Sequence, residues 1–523
     1  MFVSVEKLVL SAARLPESID LELTDHIARH LKIKPGQVRS YRILKRSLDA
    51  RKKPDVKIQY RLTAELDDRA CPAGVEPVAA PEKTIPFEPV NRRTLKHPVV
   101  VGAGPAGLFA AYTLALAGAE PVVLERGRDV VRRKADIDEF FAMRHLNTES
   151  NFLYGEGGAG TWSDGKLYTR IRDPRMDFVM RSFVDCGAPE QILYFSHPHL
   201  GSDRLPGIVS ALRNRIIALG GTFRWDSRVK DVIIREGTCR GVVLDSGETI
   251  DAPAVLIASG HSAVDLILGL TKKVPYRLKG FQTGMRIEHK QRFINRMQFG
   301  MERPCAALGA AEYNLAMSPP DGAATFCMCP GGEIIPAVCE SGTLCTNGMS
   351  LYARSGIFAN SAVITTLNGE DFASAEDAFA LLAGLERRAF EAGGMDYTAP
   401  AQSAACFLDG ETGHINDETS YRLGRVPARL DRILPDKVTA ILRRALLRFD
   451  RLMPGFIREG VFTGVETRVS SPVRFDRDPV TLASSGCRDL YLAGEGAGMA
   501  GGITSAAVDG VRLAAAMLGM TAD

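Results

Sequence analysis

Three clusters of glycine carry most of the chemistry legible in this 523-residue sequence. In the first, Gly102-Ala103-Gly104-Pro105-Ala106-Gly107 follows the apolar run Val99-Val100-Val101 and opens an apolar segment rich in alanine and leucine. Gly102 suits a tight turn, Gly104 lets the backbone approach a pyrophosphate, and Gly107 lets the next helix lie close on the sheet. A second apolar run at 121–124 ends at Glu125, where a carboxylate can accept from ribose hydroxyls, with Arg126 beside it. Both strands, the helix and the terminal acid are in register, so the segment predicts a dinucleotide site. The second cluster, 155–165, places five glycines in eleven residues and ends against Lys166. Core packing does not ask for that density, and close approach of backbone to a ligand does, which makes Gly158, Gly160, Thr161, Ser163 and Gly165 binding candidates. The third cluster, Gly494-Glu495-Gly496-Ala497-Gly498 and then Gly501-Gly502-Ile503, sits between a strand and a helix expected to run to 518. Its small residues open a helix N-terminus, where anions and polar groups bind, and Glu495 can accept from a hydroxyl.

Ordered elements must hold these corners. A helix over 206–219 leads through Gly220-Gly221 into a strand ending at 228–229. Three short strands follow, at 232–235, 241–244 and 249–250, and then an exit strand over 254–260 that ends in Ser259-Gly260, a place for a strand that abuts a cofactor. Val229 and Ser259-Gly260 therefore join the candidates. Residues 276–465 lack a nucleotide fingerprint and mix strands with helices such as 374–392, for which Ser374 is the N-cap, and 435–449. That is the expected place for a substrate domain. Residues 1–66 read as a small βαββ module: a strand at 2–12, a helix at 20–31 and strands at 38–47 and 56–66. Between Arg42 and Lys57 it carries seven basic residues against Asp49 and Asp55, which reads as an RNA- or anion-binding hairpin or, more simply, as a solvated strand face. A proline-rich stretch, 67–95, reads as an extended linker. The fold class is α/β: a Rossmann-type domain in two parts, 96–275 and 466–523, with an inserted α+β domain at 276–465.

The meander resembles the one inserted in FAD-binding Rossmann domains, and more particular segments carry a resemblance to one family. These are Ser47–Lys53, Pro198–Asp203, Gly260-His261-Ser262, Gly284–His289, Phe326-Cys327-Met328-Cys329-Pro330-Gly331-Gly332, Asn347–Ser350 and Glu466–Arg474. With them, almost the whole chain resembles the uncharacterised bacterial FAD-dependent dehydrogenases with a dedicated C-terminal domain, within the glutathione-reductase-like flavoproteins. The resemblance implies FAD and an oxidoreductase, and supplies no substrate. Ala258-Ser259-Gly260 departs from it where relatives usually carry threonine; serine keeps the hydroxyl.

On that reading Gly501, Gly502 and Ile503 would present backbone donors to the flavin's N1–C2=O edge. Lys166 would stabilise reduced flavin or bind a substrate carboxylate. Arg468 and Arg474 flank a Ser-Ser-Pro turn just before the chain re-enters the flavin domain, so they are expected near the isoalloxazine, binding an anionic substrate or forming an interdomain ion pair. Arg286, Glu288, His289 and Arg354 are further charged candidates; His199 with Asp203, and His261, are proton donors or capped loop residues. Only one full fingerprint is present, so NAD(P)H is expected as a transient reductant without a domain of its own. Cys327 and Cys329 read as a redox pair, a thiolate metal site or buried packing. On a regular strand, residues i and i+2 have Cα atoms roughly 7 Å apart, at the edge of disulfide reach, which favours packing.

Composition excludes several classes. The apolar fraction is 45%, the charged fraction 24% and the formal charge +3, so no global attraction to nucleic acid or membrane follows. Residues 98–119 lack charge, but three glycines, a proline and Glu120 argue against a membrane span. The ten cysteines are scattered and the first residues lack a signal-peptide pattern, so reduced thiols and a cytoplasmic setting are expected, with no metal site.

Overall fold

A computed structural model describes residues 1–12, 15–67, 77–79, 88–319 and 322–520. At its centre is a five-stranded parallel sheet in the order Leu490–Leu492, Val255–Ile257, Val99–Val101, Val122–Leu124, Thr222–Arg224. Successive strand residues point to opposite faces. Val100, Val123, Leu256 and Tyr491 therefore enter one apolar core, under the helices, while Val99, Val101, Leu124, Val255, Ile257, Leu490 and Leu492 enter another. That second core is closed by the antiparallel meander Val229–Arg235, Thr238–Leu244 and Thr249–Asp251. Being covered on both sides explains why these strands read as unbroken apolar runs.

The helix Pro105–Leu116 is buried nearly all round, between the sheet and the last helix, Ile503–Met517. The two helices meet at backbone distance, since a Cβ on Gly510 would lie 2.0 Å from the Ala106 carbonyl oxygen. One boundary differs from expectation. The strand after Gly220-Gly221 stops at Arg224, because the chain turns at Asp226 in a left-handed conformation (φ 50°) and Ser227 N–H donates to Glu125 O. Val229 instead begins the meander.

Strands between Phe281 and Glu466 form a mixed sheet in the order Ala316–Met317, Ala323–Cys329, Phe358–Leu367, Phe281–Lys290, Val461–Glu466, Ala399–Ser403, Arg425–Pro427. The amphipathic helices Gln291–Phe299, Ala375–Ala392 and Asp436–Leu452 pack on it. Ser374 caps the second of these, its Oγ accepting from Asp377 N–H at 3.1 Å. The N-terminal part has the expected βαββ order, with strands Phe2–Ser11, Val38–Asp49 and Lys57–Leu66 around the helix Thr24–Leu31. Rather than standing apart, its side chains Val3, Ile27, Ile58 and Leu62 belong to the same apolar core as Phe281, Leu385 and Phe449. Most of the expected linker, 68–76 and 80–87, lies outside the described residues. Basic residues of the hairpin help seat this part on the rest. Arg46 pairs with Asp20 at 3.1 Å, donates to Ala307 O at 2.6 Å and covers the Phe195 ring, and Lys53 donates to Met297 O. Arg51 is taken by Asp49. Among the described residues, no helix is long and apolar enough to cross a membrane.

Candidate functional site

The three glycine corners meet. Gly102 takes φ +99°, and a Cβ there would lie 2.4 Å from Ala258 O on the neighbouring strand. Gly107 does the packing expected of it, a Cβ there falling 1.9 Å from Gly102 O. The second corner touches the first, since a Cβ on Gly158 would come within 3.1 Å of the Gly104 Cα and Gly157 N–H donates to Ala103 O. It touches the third as well, a Cβ on Gly160 falling 3.2 Å from Ile503 Cγ1. Between them opens a cavity of about 1180 Å³, larger than the roughly 300–1,000 Å³ usual for small-molecule sites. Gly104 caps the helix Pro105–Leu116 and Gly502 caps Ile503–Met517, so two helix N-termini face one space. Their first N–H groups and their positive dipole ends form a place for anions.

Of the candidates read from sequence, Gly102, Gly104, Pro105, Ala106, Glu125, Arg126, Gly158, Gly160, Ser163, Gly165, Lys166, Val229, Ser259, Gly260, Arg468, Gly494, Glu495, Gly501, Gly502 and Ile503 line this cavity. Ala103, Gly107 and Thr161 do not line it and serve the walls: Ala103 N–H donates to Glu125 Oε2 at 2.8 Å, and Thr161 Oγ1 donates to Glu156 O at 3.0 Å. Arg474 lies elsewhere. It is exposed on the strand Val473–Phe475, opposite Arg277, because strand alternation turns its apolar neighbours Val473 and Phe475 inward. The carboxylate of Glu125 accepts from three backbone N–H groups, those of Ala103, Gly127 and Gly155, at 2.8–3.0 Å. That ties the first corner to the second and leaves part of its acceptor capacity toward the cavity. Glu495 accepts from Ser471 N–H at 2.8 Å, and burial pushes its carboxyl pKa up.

Ionised side chains line the cavity as well, some of them inside the second glycine cluster itself. Asp164, almost fully buried, takes Lys166 Nζ at 2.8 Å and both arms of Arg354, at 3.0 and 2.6 Å. Burial alone would raise the Asp164 carboxyl, but the two cations hold it well below the usual range. Burial likewise works against the charge of Lys166, and Asp164 outweighs it, so Lys166 stays an ammonium ion. Its other hydrogen bond goes to Met328 O. Glu312 and His197 pair on the same wall, and the carboxylate raises the imidazole's pKa.

Arg468 lines the cavity but is committed: its guanidinium grips Glu386 at 3.0 and 2.8 Å and donates to Cys339 Sγ at 3.1 Å. Of its two expected roles, the ion pair is the one the geometry shows. Arg286, fully buried behind the wall, pairs with both oxygens of Glu466 at 2.7 and 2.9 Å and donates to Asn360 and Asn347. Glu288 and His289 stay out of the cavity, paired with Ser420 and Arg425 and with Phe456 O respectively. His199 is also outside, bonded to Tyr352 O, whereas His261 lines the cavity. Its Nε2 is buried without a hydrogen-bond partner among the described residues, and burial, helped by Arg468, lowers its pKa to about 4. Asp164, His197 and Glu312, all in the lining, carry no mark in the sequence reading. Asp164 was within reach, lying inside the second glycine cluster; Glu312 has no local signal at all.

Models of known families match most of the chain. The pyridine nucleotide-disulphide oxidoreductase model matches 96–294, the FAD-dependent protein C-terminal domain-like model matches 280–469, and a domain of unknown function matches 9–65. A curated protein of Clostridium beijerinckii, described as an uncharacterized protein, is 38% identical over 515 residues, covering 94% of this chain and 95% of the relative. The chain belongs to this FAD-dependent protein family. It is an FAD-dependent oxidoreductase of α/β fold, and FAD is its cofactor. Among solved structures, glycine oxidase from Bacillus cereus is 10% identical over 81% of this chain and 95% of that one, with a TM-score of 0.35. The FAD complex of glycerol-3-phosphate dehydrogenase from Bacillus halodurans is 11% identical over 82% and 65%, with a TM-score of 0.35. The family models and the long relative, rather than these remote likenesses, establish the family.

Proposed function

We propose that this member of the FAD-dependent protein family passes a hydride between the flavin and a small organic substrate bound at the ionised wall of the cavity. The observation that carries the reading is the meeting of three glycine corners and two helix N-termini around one space with a charged wall. The residues fit the cofactor. Gly102, Gly104 and Pro105 at one helix start would hold the pyrophosphate, and Glu125, with acceptor capacity left toward the cavity, the adenosine ribose. Gly501, Gly502 and Ile503, at the second helix start, would face the flavin ring. When bound, FAD supplies hydride exchange at its N5 position.

The chain's own groups set the conditions. Buried Lys166 keeps its charge through Asp164, so it offers a cation to an anionic substrate group or to charge that develops nearby. His261 stays neutral at pH 7, with Nε2 free to donate or accept. Arg354 and Glu312 brace the wall. NAD(P)H is a transient reductant in this reading. Residues 96–275 and 466–523 form the cofactor-binding unit, 276–465 the substrate unit, 67–95 the linker and 1–66 an accessory module. The cytoplasm is the proposed setting.

Mixing the FAD-loaded protein anaerobically with NADH and with NADPH tests the reductant, and bleaching by either supports it. A flavin left oxidised by both removes them from the reading. Replacing Lys166 by Met should raise KM for an anionic substrate by about tenfold, the order of one lost charge-assisted bond; an unchanged KM would remove Lys166 from substrate binding.

A further inference from the structure

Cys327 and Cys329 do not sit on a regular strand. Pairing between the strands Ala323–Cys329 and Phe358–Leu367 shifts register between Phe326 and Cys329, and Cys327 takes a left-handed backbone, φ +46°. Such a conformation is strained for an L-residue, and strain of this kind gathers at functional sites. The bulge removes the alternation that would point both side chains one way at a fixed 7 Å spacing. Cys327 lines the cavity; Cys329 lies behind it, its thiol 3.3 Å from Cys327 O.

The bulge is held by cations from both sides: Arg286 donates to Cys327 O at 3.3 Å, and Lys166 to Met328 O. The two sulfurs are made unequal. The neighbouring Cys329 side chain, with Lys166 and Arg286 nearby, draws the pKa of Cys327 down, while Cys327 and burial push Cys329 up. The sulfur that faces ligand space is thus the one biased toward thiolate, and its neighbour is biased toward thiol. The contrast within the molecule is sharp: Cys339 and Cys345 do not line the cavity but pack behind its wall against Leu153, Tyr154 and Ala337, and burial raises both, Cys345 to about 12. Among the described residues, no cluster of three His, Cys, Asp or Glu could hold a metal. The pair also lies beyond 96–294, so it is not part of the disulphide oxidoreductase match.

We propose that Cys327 and Cys329 are a redox-active dithiol that reduces a small organic disulfide at the ionised wall of the cavity. The proposal rests on that wall being where substrate binds, and names a substrate class for it. The Cys327 thiolate attacks one sulfur of RSSR, a protein–substrate S–S bond forms, the substrate's own S–S bond breaks, and RS⁻ leaves. Cys329 gives up its proton and attacks the Cys327 sulfur, displacing the second RS⁻. Two protons make both products thiols. The substrate gains two electrons and the cysteine pair loses two, ending as an intramolecular disulfide. Return to the dithiol takes two electrons and two protons, the quantity that a fully reduced flavin carries.

The test uses the full-length FAD-loaded protein with its cysteines reduced and its flavin oxidised, freed of reductant and mixed anaerobically at pH 7 with hydroxyethyl disulfide. Released thiol is counted, cysteine peptides are weighed, and bound FAD is read from its absorbance. Wild type should release two thiols per chain and show a peptide linking Cys327 to Cys329, short of two hydrogens. Cys329→Ser should stop at one thiol, with the mixed disulfide on Cys327, and Cys327→Ser should release none from this segment. Before oxidation, iodoacetamide should label Cys327 about tenfold faster than Cys339 or Cys345, as expected of a thiolate among buried thiols. Wild type that releases no thiol, or that carries the adduct on another cysteine, overturns the proposal without recourse to the variants. Loss of FAD absorbance with thiol release intact would instead count against the cofactor geometry, and so separates the two readings.

Discussion

Two parts of the cavity wall are built from opposite materials. One is backbone: glycines at 102, 104, 158, 160, 501 and 502 and two helix starts, with carboxylates such as Glu125 already tied to N–H groups. The other material is paired side chains in or just behind the wall: Asp164 with Lys166 and Arg354, Glu312 with His197, Arg286 with Glu466, Arg468 with Glu386. Backbone donors bind a cofactor whose shape never changes and cannot be lost by substituting one side chain, although a single added methyl group can block them. Ion pairs can be tuned to a substrate, but each depends on its partner. The difference predicts different failures in the two parts.

The largest effect belongs to the buried pair behind the charged wall. Arg286→Met leaves Glu466 buried and alone, a loss of about 3–5 kcal/mol expected in urea unfolding. Glu466 already titrates high because burial opposes its charge, with Arg286 holding it down. Arg286→Met with Glu466→Met should recover much of that loss, and a double variant no better than the single one would break the claim that the charges matter as a pair.

Acid should attack next. His199, His261 and His289 are each lowered by burial from 6.5 to about 4. A depressed folded-state pKa means the unfolded chain takes up the proton first. The stability that goes with neutral imidazole is therefore complete above pH 6.5 and drains as pH falls from 6.5 toward 4, by up to about 3 kcal/mol for each histidine. The thermal midpoint should drop through that window, and His289→Phe should flatten the drop. A midpoint level from pH 7 to 4 would contradict the buried, neutral assignment.

At the glycine corners the expected damage to stability is smaller and the damage to binding larger. Gly102→Ala puts a methyl group 2.4 Å from Ala258 O in a left-handed conformation, about 1–3 kcal/mol of overpacking, and should cost most of the FAD that copurifies. Arg468→Met should keep its FAD, because that side chain answers to Glu386. Smallest of all, Arg474→Ala on its exposed strand position should shift stability by under about 0.5 kcal/mol and leave FAD content and substrate KM alone. A clear KM effect there would reopen the role that the chain order suggested.

What the sequence made legible follows the same division. Glycine spacing is a local record of backbone approach, so all three corners and the strands and helices around them could be read, as could the Ser374 cap, where donor and acceptor are three residues apart. The ion pairs join residues far apart in the chain, Asp164 to Arg354 and Arg286 to Glu466, and no local pattern marks them. Arg468 read equally as a substrate ligand or an ion-pair member, and its partner could not be named because Glu386 lies 82 positions away. The Cys327 bulge was hidden because alternation was assumed through a strand that breaks it. The seating of the N-terminal strands on a shared core was equally out of reach, since a boundary in composition says nothing about which faces touch.

The most direct measurement is a titration of stripped, folded protein with FAD, followed by flavin fluorescence and by thermal midpoint, for wild type and Gly102→Ala. The structure predicts saturation at one FAD per chain with a raised midpoint in wild type and neither in Gly102→Ala. Folded wild type that takes up no FAD, or a Gly102→Ala protein that binds it equally well, would contradict the claim that the three glycine corners form the cofactor site.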